Sequence, residues 1–207
     1  KKILNEFRVQ LDRPALAVSD IYPWISQGGI PLISNGLCVP ECEAAIWLRK
    51  FRELYLKTRT PKHLVYPWVT EFLNYAKANS YELAICSNKP EQLLLNALNE
   101  TELMNYFSII VGGTQKTLPK PHPDRLYAIL DKSRSSKNKL VFIGDSSVDQ
   151  QISAKGDIEF ILFKGGYDDG VYLKDKKHSF LVFSELKAIL ENKQDLVHSK
   201  KIDNCIF

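Results

Sequence analysis

An open parallel α/β sheet, preceded by a smaller all-helical unit, is the architecture this sequence predicts. Three observations carry the prediction. From Tyr66 onward, short unbroken apolar runs alternate with helical stretches. Each run stops at a polar or glycine-containing step, and runs of that kind without polar alternation belong to strands covered on both faces. Ahead of Tyr66, the chain shows helical spacing and no such runs.

In the helical part, Leu4, Phe7 and Leu11 recur at helical spacing until Arg13-Pro14 breaks the pattern. A second helix is expected over 16–26, with Gly28-Gly29 as its C-terminal stop. A third, over 41–58, is amphipathic, with Ala45, Leu48, Phe51, Leu54 and Tyr55 on one face. Pro67 then opens a helix that turns Val69, Phe72, Leu73 and Ala76 inward.

The α/β part follows as a strand over 83–86, closed by Ser87-Asn88, and a helix over 90–99. Next come a strand over 107–111 stopped by Gly112-Gly113, and a helix over 124–130 behind His122-Pro123. The strand 140–143 ends at Gly144-Asp145, with a helix starting near Val148. A last strand over 159–163 ends at Gly165-Gly166. Right-handed crossovers bring all these strand ends to one edge, where open α/β sheets bind ligands.

Composition narrows the function classes. Across 207 residues, 44% are hydrophobic and 25% charged, ordinary values for a globular chain able to build a core. The net charge of +4 comes from 28 basic and 24 acidic residues, and part of the surplus sits late, at Lys174, Lys176, Lys177, Lys200 and Lys201. A basic stripe interleaved with aromatics is absent, which argues against nucleic acid as a partner. Neither a secretory leader nor an apolar run of bilayer length occurs, so no membrane partner and a cytoplasmic location are expected. Cys38 and Cys42 have no nearby histidines to suggest zinc, Cys86 reads as a buried free thiol, and Cys205 is misplaced for prenylation.

Three polar clusters follow three of the strands. Ser87-Asn88-Lys89 sets a hydroxyl and an amide before a helix start, an arrangement that suits a phosphate as well as an ordinary cap. Lys120 lies among Pro119, Pro121 and Pro123, a stiff loop that can hold an ammonium toward the strand-end crevice. His122 reads as part of the helix start. In Gly144-Asp145-Ser146-Ser147-Val148-Asp149, the two carboxylates stand one helical turn apart, where they can converge on a hard cation or act as cap and first-turn acid.

The order Ser-Asn, Lys-Pro, Gly-Asp-x-x-x-Asp at successive strand ends resembles the second, third and fourth motifs of the haloacid dehalogenase-like superfamily. The likeness covers about 66–167. Cys86-Ser87-Asn88-Lys89-Pro90, Gly112-Gly113, Lys120-Pro121-His122-Pro123-Asp124 and Gly165-Gly166-Tyr167 are similar to phosphoglycolate phosphatases within it. The resemblance implies a Rossmann-like core at 63–190, a helical cap domain at 1–62 and a charged, frayed tail at 191–207. The run Trp24-Ile25-Ser26-Gln27-Gly28-Gly29 looks like the cap loop that selects substrate, with Trp24, Gln27, Gly28 and Gly29 as its site residues.

What the resemblance implies chemically is an Mg²⁺-dependent phosphatase of small phosphorylated metabolites. Ser87 and Asn88 would hold the phosphate, and Lys120 would bridge it to the nucleophile as the catalytic lysine. Asp145 would ligate Mg²⁺, and Asp149 would ligate through water or orient its neighbours. The family's nucleophile, an Asp-x-Asp at the end of the first strand, occurs nowhere in the chain; that strand is expected before Lys1, mid-sheet between the strands ending at Ser87 and Asp145. The core is therefore expected to lack its first strand, and the chain as it stands to be inactive. A non-catalytic module that binds a phospholigand or a protein, and a phosphomutase-type transferase, are the alternatives.

Overall fold

The computed structural model describes residues 1–134, 140–167, 169, 178–197 and 205–206. Lys174, Lys176, Lys177, Lys200 and Lys201 lie outside them.

Helices α1 (Lys2–Gln10), α2 (Tyr22–Ile25), α3 (Gly29–Leu37) and α4 (Glu41–Leu56) form the helical unit. Their apolar stripes meet in one core, with Leu4, Phe7, Ile33, Leu37, Ala44 and Leu48 buried. The inward face of α4 runs through Ala44, while Ala45 is exposed.

Two expectations for this unit fail. The helix expected over 16–26 is a loop, a 3-10 turn at Ser19–Ile21 and the short α2. The Asn5 side chain takes both backbone groups of Leu16, at 2.9 and 3.1 Å, so neither is free for a helical ladder. Asp20 accepts from the Ala17 N–H at 2.6 Å and delays the start further. Gly28-Gly29 is a beginning and not a stop. Gly28, at φ +110°, turns the chain into α3, and Gly29 is its first residue.

The second unit follows the alternation read in the sequence. Its elements are α5 (Val69–Ala78), β1 (Glu82–Pro90), α6 (Glu91–Glu100), β2 (Ile109–Gly113), α7 (Asp124–Leu130), β3 (Leu140–Gly144), α8 (Ser147–Gly156), β4 (Glu159–Phe163), β5 (Ser179–Phe180), α9 (Phe183–Val197) and β6 (Cys205–Ile206). The sheet runs β2-β1-β6-β3-β4-β5, and every pairing is parallel. Both faces are buried, as the unbroken apolar runs require. Leu83, Val141, Ile161 and Phe163 face α5 and α9 together with Phe72, Phe183 and Leu186. Ala84, Leu140 and Phe142 face α7 and α8 together with Leu126, Ile129 and Ile152.

The end of the chain departs from the frayed tail expected from residue 191. Helix α9 continues to Val197, and β6 lies in the sheet between β1 and β3. That is the place expected for a strand ahead of Lys1. Among the described residues, no helix is long and apolar enough to cross a membrane.

Candidate active site

The ends of β1 and β3 and the loop before α7 face the helical unit across a cavity of about 430 Å³. Ser87, Asn88, Lys120, Asp145 and Asp149 all line it, so the three polar clusters do converge.

Lys120 and Asp149 form its buried centre. The ammonium donates to Asp149 Oδ1 at 2.6 Å and to the Cys86 carbonyl at 2.8 Å. Burial by itself lowers a lysine's pKa, but the Asp149 carboxylate, then Cys86 and Asp145, outweigh it and raise the Lys120 value. The other oxygen of Asp149 accepts from the Ser146 hydroxyl at 2.7 Å and from the Asp145 N–H at 3.3 Å. Gly144 permits this packing, because a Cβ there would lie 2.4 Å from Asp149 Cβ. The Cys86 thiol beside the pair is free, and burial chiefly pushes it up to about 11, so it stays protonated.

Asp145 is held differently. Its Oδ2 accepts the Tyr167 N–H at 3.1 Å, and Gly166 lies so close that a Cβ would sit 2.1 Å from that oxygen. Burial, followed by the charge of Asp149, raises its pKa from 3.8 to about 6. A carboxylate so placed calls for positive charge. A hard cation with one or two carboxylates, water and phosphate oxygens fits it, whereas an all-protein cage does not. Among the described residues no group of three His, Cys, Asp or Glu side chains converges on one point.

Asn88 is a hub. Its amide N–H groups donate to the Lys120 carbonyl at 3.0 Å and to the Ser26 carbonyl of the helical unit at 3.1 Å. Its Oδ1 accepts from the Lys120 N–H at 2.7 Å and from the Arg125 guanidinium. The side chain thus ties the lysine loop and the helical unit to β1. The Ser87 Oγ accepts the Lys89 N–H at 3.1 Å, which leaves its own proton to give.

Sequence reasoning missed two residues here. Arg125, 3% exposed, donates from Nη1 to the Ser87 carbonyl at 2.9 Å as well as to Asn88, and so fixes the Ser87-Asn88 step from behind. Only a lone arginine on the buried face of a helix could have signalled it. Arg125→Met should cost about 2 kcal/mol in denaturant unfolding, because it removes the buried donor to the Ser87 carbonyl and one of the two donors to Asn88 Oδ1. An unchanged midpoint would show that the contacts carry no stability. The second is Ser26, which stood within the cap-loop run without being singled out and lines the cavity with a buried Oγ that has no hydrogen-bond partner among the described residues.

The residues expected in the cap loop fall in different places. Gly28 and Gly29 line the cavity together with Ile21 and Ile25. Trp24 packs into the helical core instead, and Gln27 is exposed, its amide donating to the Pro23 carbonyl at 2.6 Å. Arg52, on α4, completes that wall, its Nη2 close beside Gly29. From the core side, Lys89 Nζ donates to the Tyr55 hydroxyl at 3.1 Å. Tyr22 of the helical unit meets Tyr167 of the core, ring centroids 5.5 Å apart. His122 pairs with Asp124 at 2.8 Å, away from the cavity, as a helix-start residue.

Residues 34–163 match the model of the haloacid dehalogenase-like hydrolases. The phosphoglycolate phosphatase of Pseudomonas syringae pv. syringae (strain B728a) is 25% identical over 194 residues, which cover 90% of this chain and 71% of that protein. Phosphoglycolate phosphatase 1 of Pseudomonas aeruginosa is 28% identical over 187 residues, covering 86% and 67%. Among solved structures, a predicted phosphoglycolate phosphatase from Haemophilus somnus 129pt superposes with a TM-score of 0.79 at 22% identity, over 91% of this chain and 89% of that one. A haloacid dehalogenase-superfamily hydrolase (subfamily IA, variant 1) from Geobacter sulfurreducens gives 0.61 at 19%, over 91% and 87%. The structures speak for the fold, and the family model spans more than half of the chain. On that match, with its motif residues gathered in one cavity, the chain belongs to the haloacid dehalogenase-like hydrolases.

Proposed function

We propose that this chain is the greater part of an Mg²⁺-dependent phosphatase acting on small phosphorylated acids of the 2-phosphoglycolate type. The observation that carries the reading is the convergence of Ser87, Lys120 and Asp145 on one cavity whose other wall bears Arg52. Relatives named as phosphoglycolate phosphatases support it.

In this reading the Ser87 hydroxyl donates to a phosphoryl oxygen. Lys120 already uses two of its N–H groups and turns the third toward the phosphoryl group, where fixed positive charge counts most as charge develops. Asp145 holds the cation, which when bound supplies positive charge against the phosphoryl oxygens. Asp149 does not ligate directly: Lys120, Ser146 and the Asp145 N–H already use its oxygens, so it positions the lysine. Arg52 and Lys89 receive the second anionic end of the substrate, and Ser26 offers it a hydroxyl.

The test has two parts. Calorimetry on the chain should detect 2-phosphoglycolate binding that requires Mg²⁺ and disappears with a chelator. With the Asp-x-Asp nucleophile supplied, the protein should release free phosphate. An isomerised product would point to a phosphomutase, and binding with no turnover to a non-catalytic module. Arg52→Ala should raise KM for 2-phosphoglycolate by about tenfold while leaving hydrolysis of p-nitrophenyl phosphate within about twofold, as loss of uniform binding does. Equal losses on both substrates would remove Arg52 from the anion-binding role.

A further inference from the structure

The loop that follows β4 closes around Asp145. The Tyr167 N–H donates to Asp145 Oδ2 at 3.1 Å, and Gly166 passes so near that any side chain on it would collide with the carboxylate. A loop this close sets where the carboxylate points, so its own anchors matter. At its start, the Lys164 N–H donates to the Phe180 carbonyl at 2.9 Å. Farther on, the Asp169 carboxylate accepts the Ser147 N–H at 2.8 and 3.0 Å. Between these two points, Tyr66 reaches the loop from another part of the chain.

Tyr66 ends the connection that leaves α4, and that connection is fastened to the end of α6. The Thr60 N–H donates to the Glu100 carboxylate at 2.8 Å, and Lys62 pairs with Glu102. Pro67 disfavours a helical backbone at Tyr66, and α5 starts only at Val69. The Tyr66 ring stands edge-on to Phe163, ring centroids 4.9 Å apart. Gly165 lies against the same Phe163 ring, where a Cβ would come within 2.6 Å of Cζ. With both residues seated on one ring, the Tyr66 hydroxyl donates to the Gly165 carbonyl at 3.2 Å. Tyr66 is not among the residues that line the cavity, so what it does there it does through the loop.

We propose that Tyr66 is a positioning residue: by holding the Gly165 carbonyl it keeps Gly166 and the Tyr167 N–H against Asp145, and so keeps that carboxylate aimed for a divalent cation. A carboxylate already held in place spares the cation the cost of ordering it. The loop contact stands on its own geometry, whereas its consequence for a cation rests on the phosphatase reading above.

Tyr66→Phe tests this by removing one oxygen and keeping the ring on Phe163. The control is Tyr106→Phe, which removes another hydroxyl of the same unit, the donor to Asn74 Oδ1 at 2.8 Å, well away from the cavity. Without cation, the Tyr167 amide should exchange about fivefold faster in Tyr66→Phe than in the parent, while Val141 and Ile161 keep their protection. In calorimetry, Tyr66→Phe should weaken Mg²⁺ binding about fivefold, the change that one hydrogen bond of ordinary net strength carries. Tyr106→Phe should leave both readings within about twofold.

Unchanged exchange at Tyr167 in Tyr66→Phe would overturn the proposal, as would equal effects from the two variants. If Tyr167 exchanges faster but the Mg²⁺ affinity of Tyr66→Phe equals that of the parent, the loop is held by Tyr66 yet does not aim Asp145, and the proposal is again overturned. If the parent chain itself binds no Mg²⁺ while Tyr167 responds, the cation reading falls and the hold of Tyr66 on the loop stands.

Discussion

Lys120→Met should destabilise the protein by about 3–5 kcal/mol, the range for removing one partner of a buried ion pair. The pair lies deep, with side-chain exposures of 11% and 8%, so Asp149 would keep its charge with no counter-ion beside it. In a domain of this size that loss lowers the melting temperature by on the order of 10 °C. The double variant Lys120→Met/Asp149→Asn should recover much of it, since the stranded charge is gone. In a chain supplied with its nucleophile, the single variant should lose about a hundredfold or more in kcat, the scale for removing one charge-stabilising group. A double variant no more stable than the single would refute the stranded-charge account.

Asp145→Asn has the opposite sign for stability. The Asp145 pKa is raised from 3.8 to about 6, first by burial and then by Asp149. A carboxyl whose folded pKa exceeds its unfolded pKa binds its proton more tightly in the folded state. Stability therefore falls as pH rises from about 4 through about 6, and the whole penalty is present above that window. At about 1.4 kcal/mol per pKa unit it is on the order of 3 kcal/mol. Asparagine keeps an oxygen to accept the Tyr167 N–H and carries no charge. Without divalent cation, the variant should melt higher than the parent at pH 7.5, with the advantage vanishing below about pH 4. It should also lose Mg²⁺ binding by calorimetry. A variant that melts lower at pH 7.5 would show that Asp145 is already well compensated without a cation.

Where one local signal governs a segment, the sequence suffices. The strand Glu159–Phe163 and the helix Asp124–Leu130 lie where an apolar run or a helical stripe between turn residues puts them. The convergence of Ser87, Lys120 and Asp145 was also legible, because parallel strands with right-handed crossovers leave their ends at one edge. What escaped depends on partners distant in sequence. Leu16 is withdrawn from a helix by Asn5, eleven residues away. Arg125 looks like any surface arginine until its partners at Ser87 and Asn88 are known. Trp24 and Gln27 do not line the cavity, whereas Ile21, from the 3-10 turn, and Ile25, from α2, do. Strand β6 has no local pattern at all: two residues after a charged stretch gain their meaning from edges more than sixty positions back.

The contact of Tyr22 with Tyr167 joins two equilibria that otherwise look separate. Tyr167 is the residue whose N–H anchors Asp145, and its ring is the surface on which the helical unit rests beside that carboxylate. Drawing the two units together removes water from Asp145, which is unfavourable while its charge is unbalanced and favourable once a cation balances it. Closure and cation occupancy are then linked functions, and each must shift the other's equilibrium by the same factor. On the cation reading proposed above, a loaded protein would spend more time shut than an empty one, and the cation would act as a clasp as well as a charge.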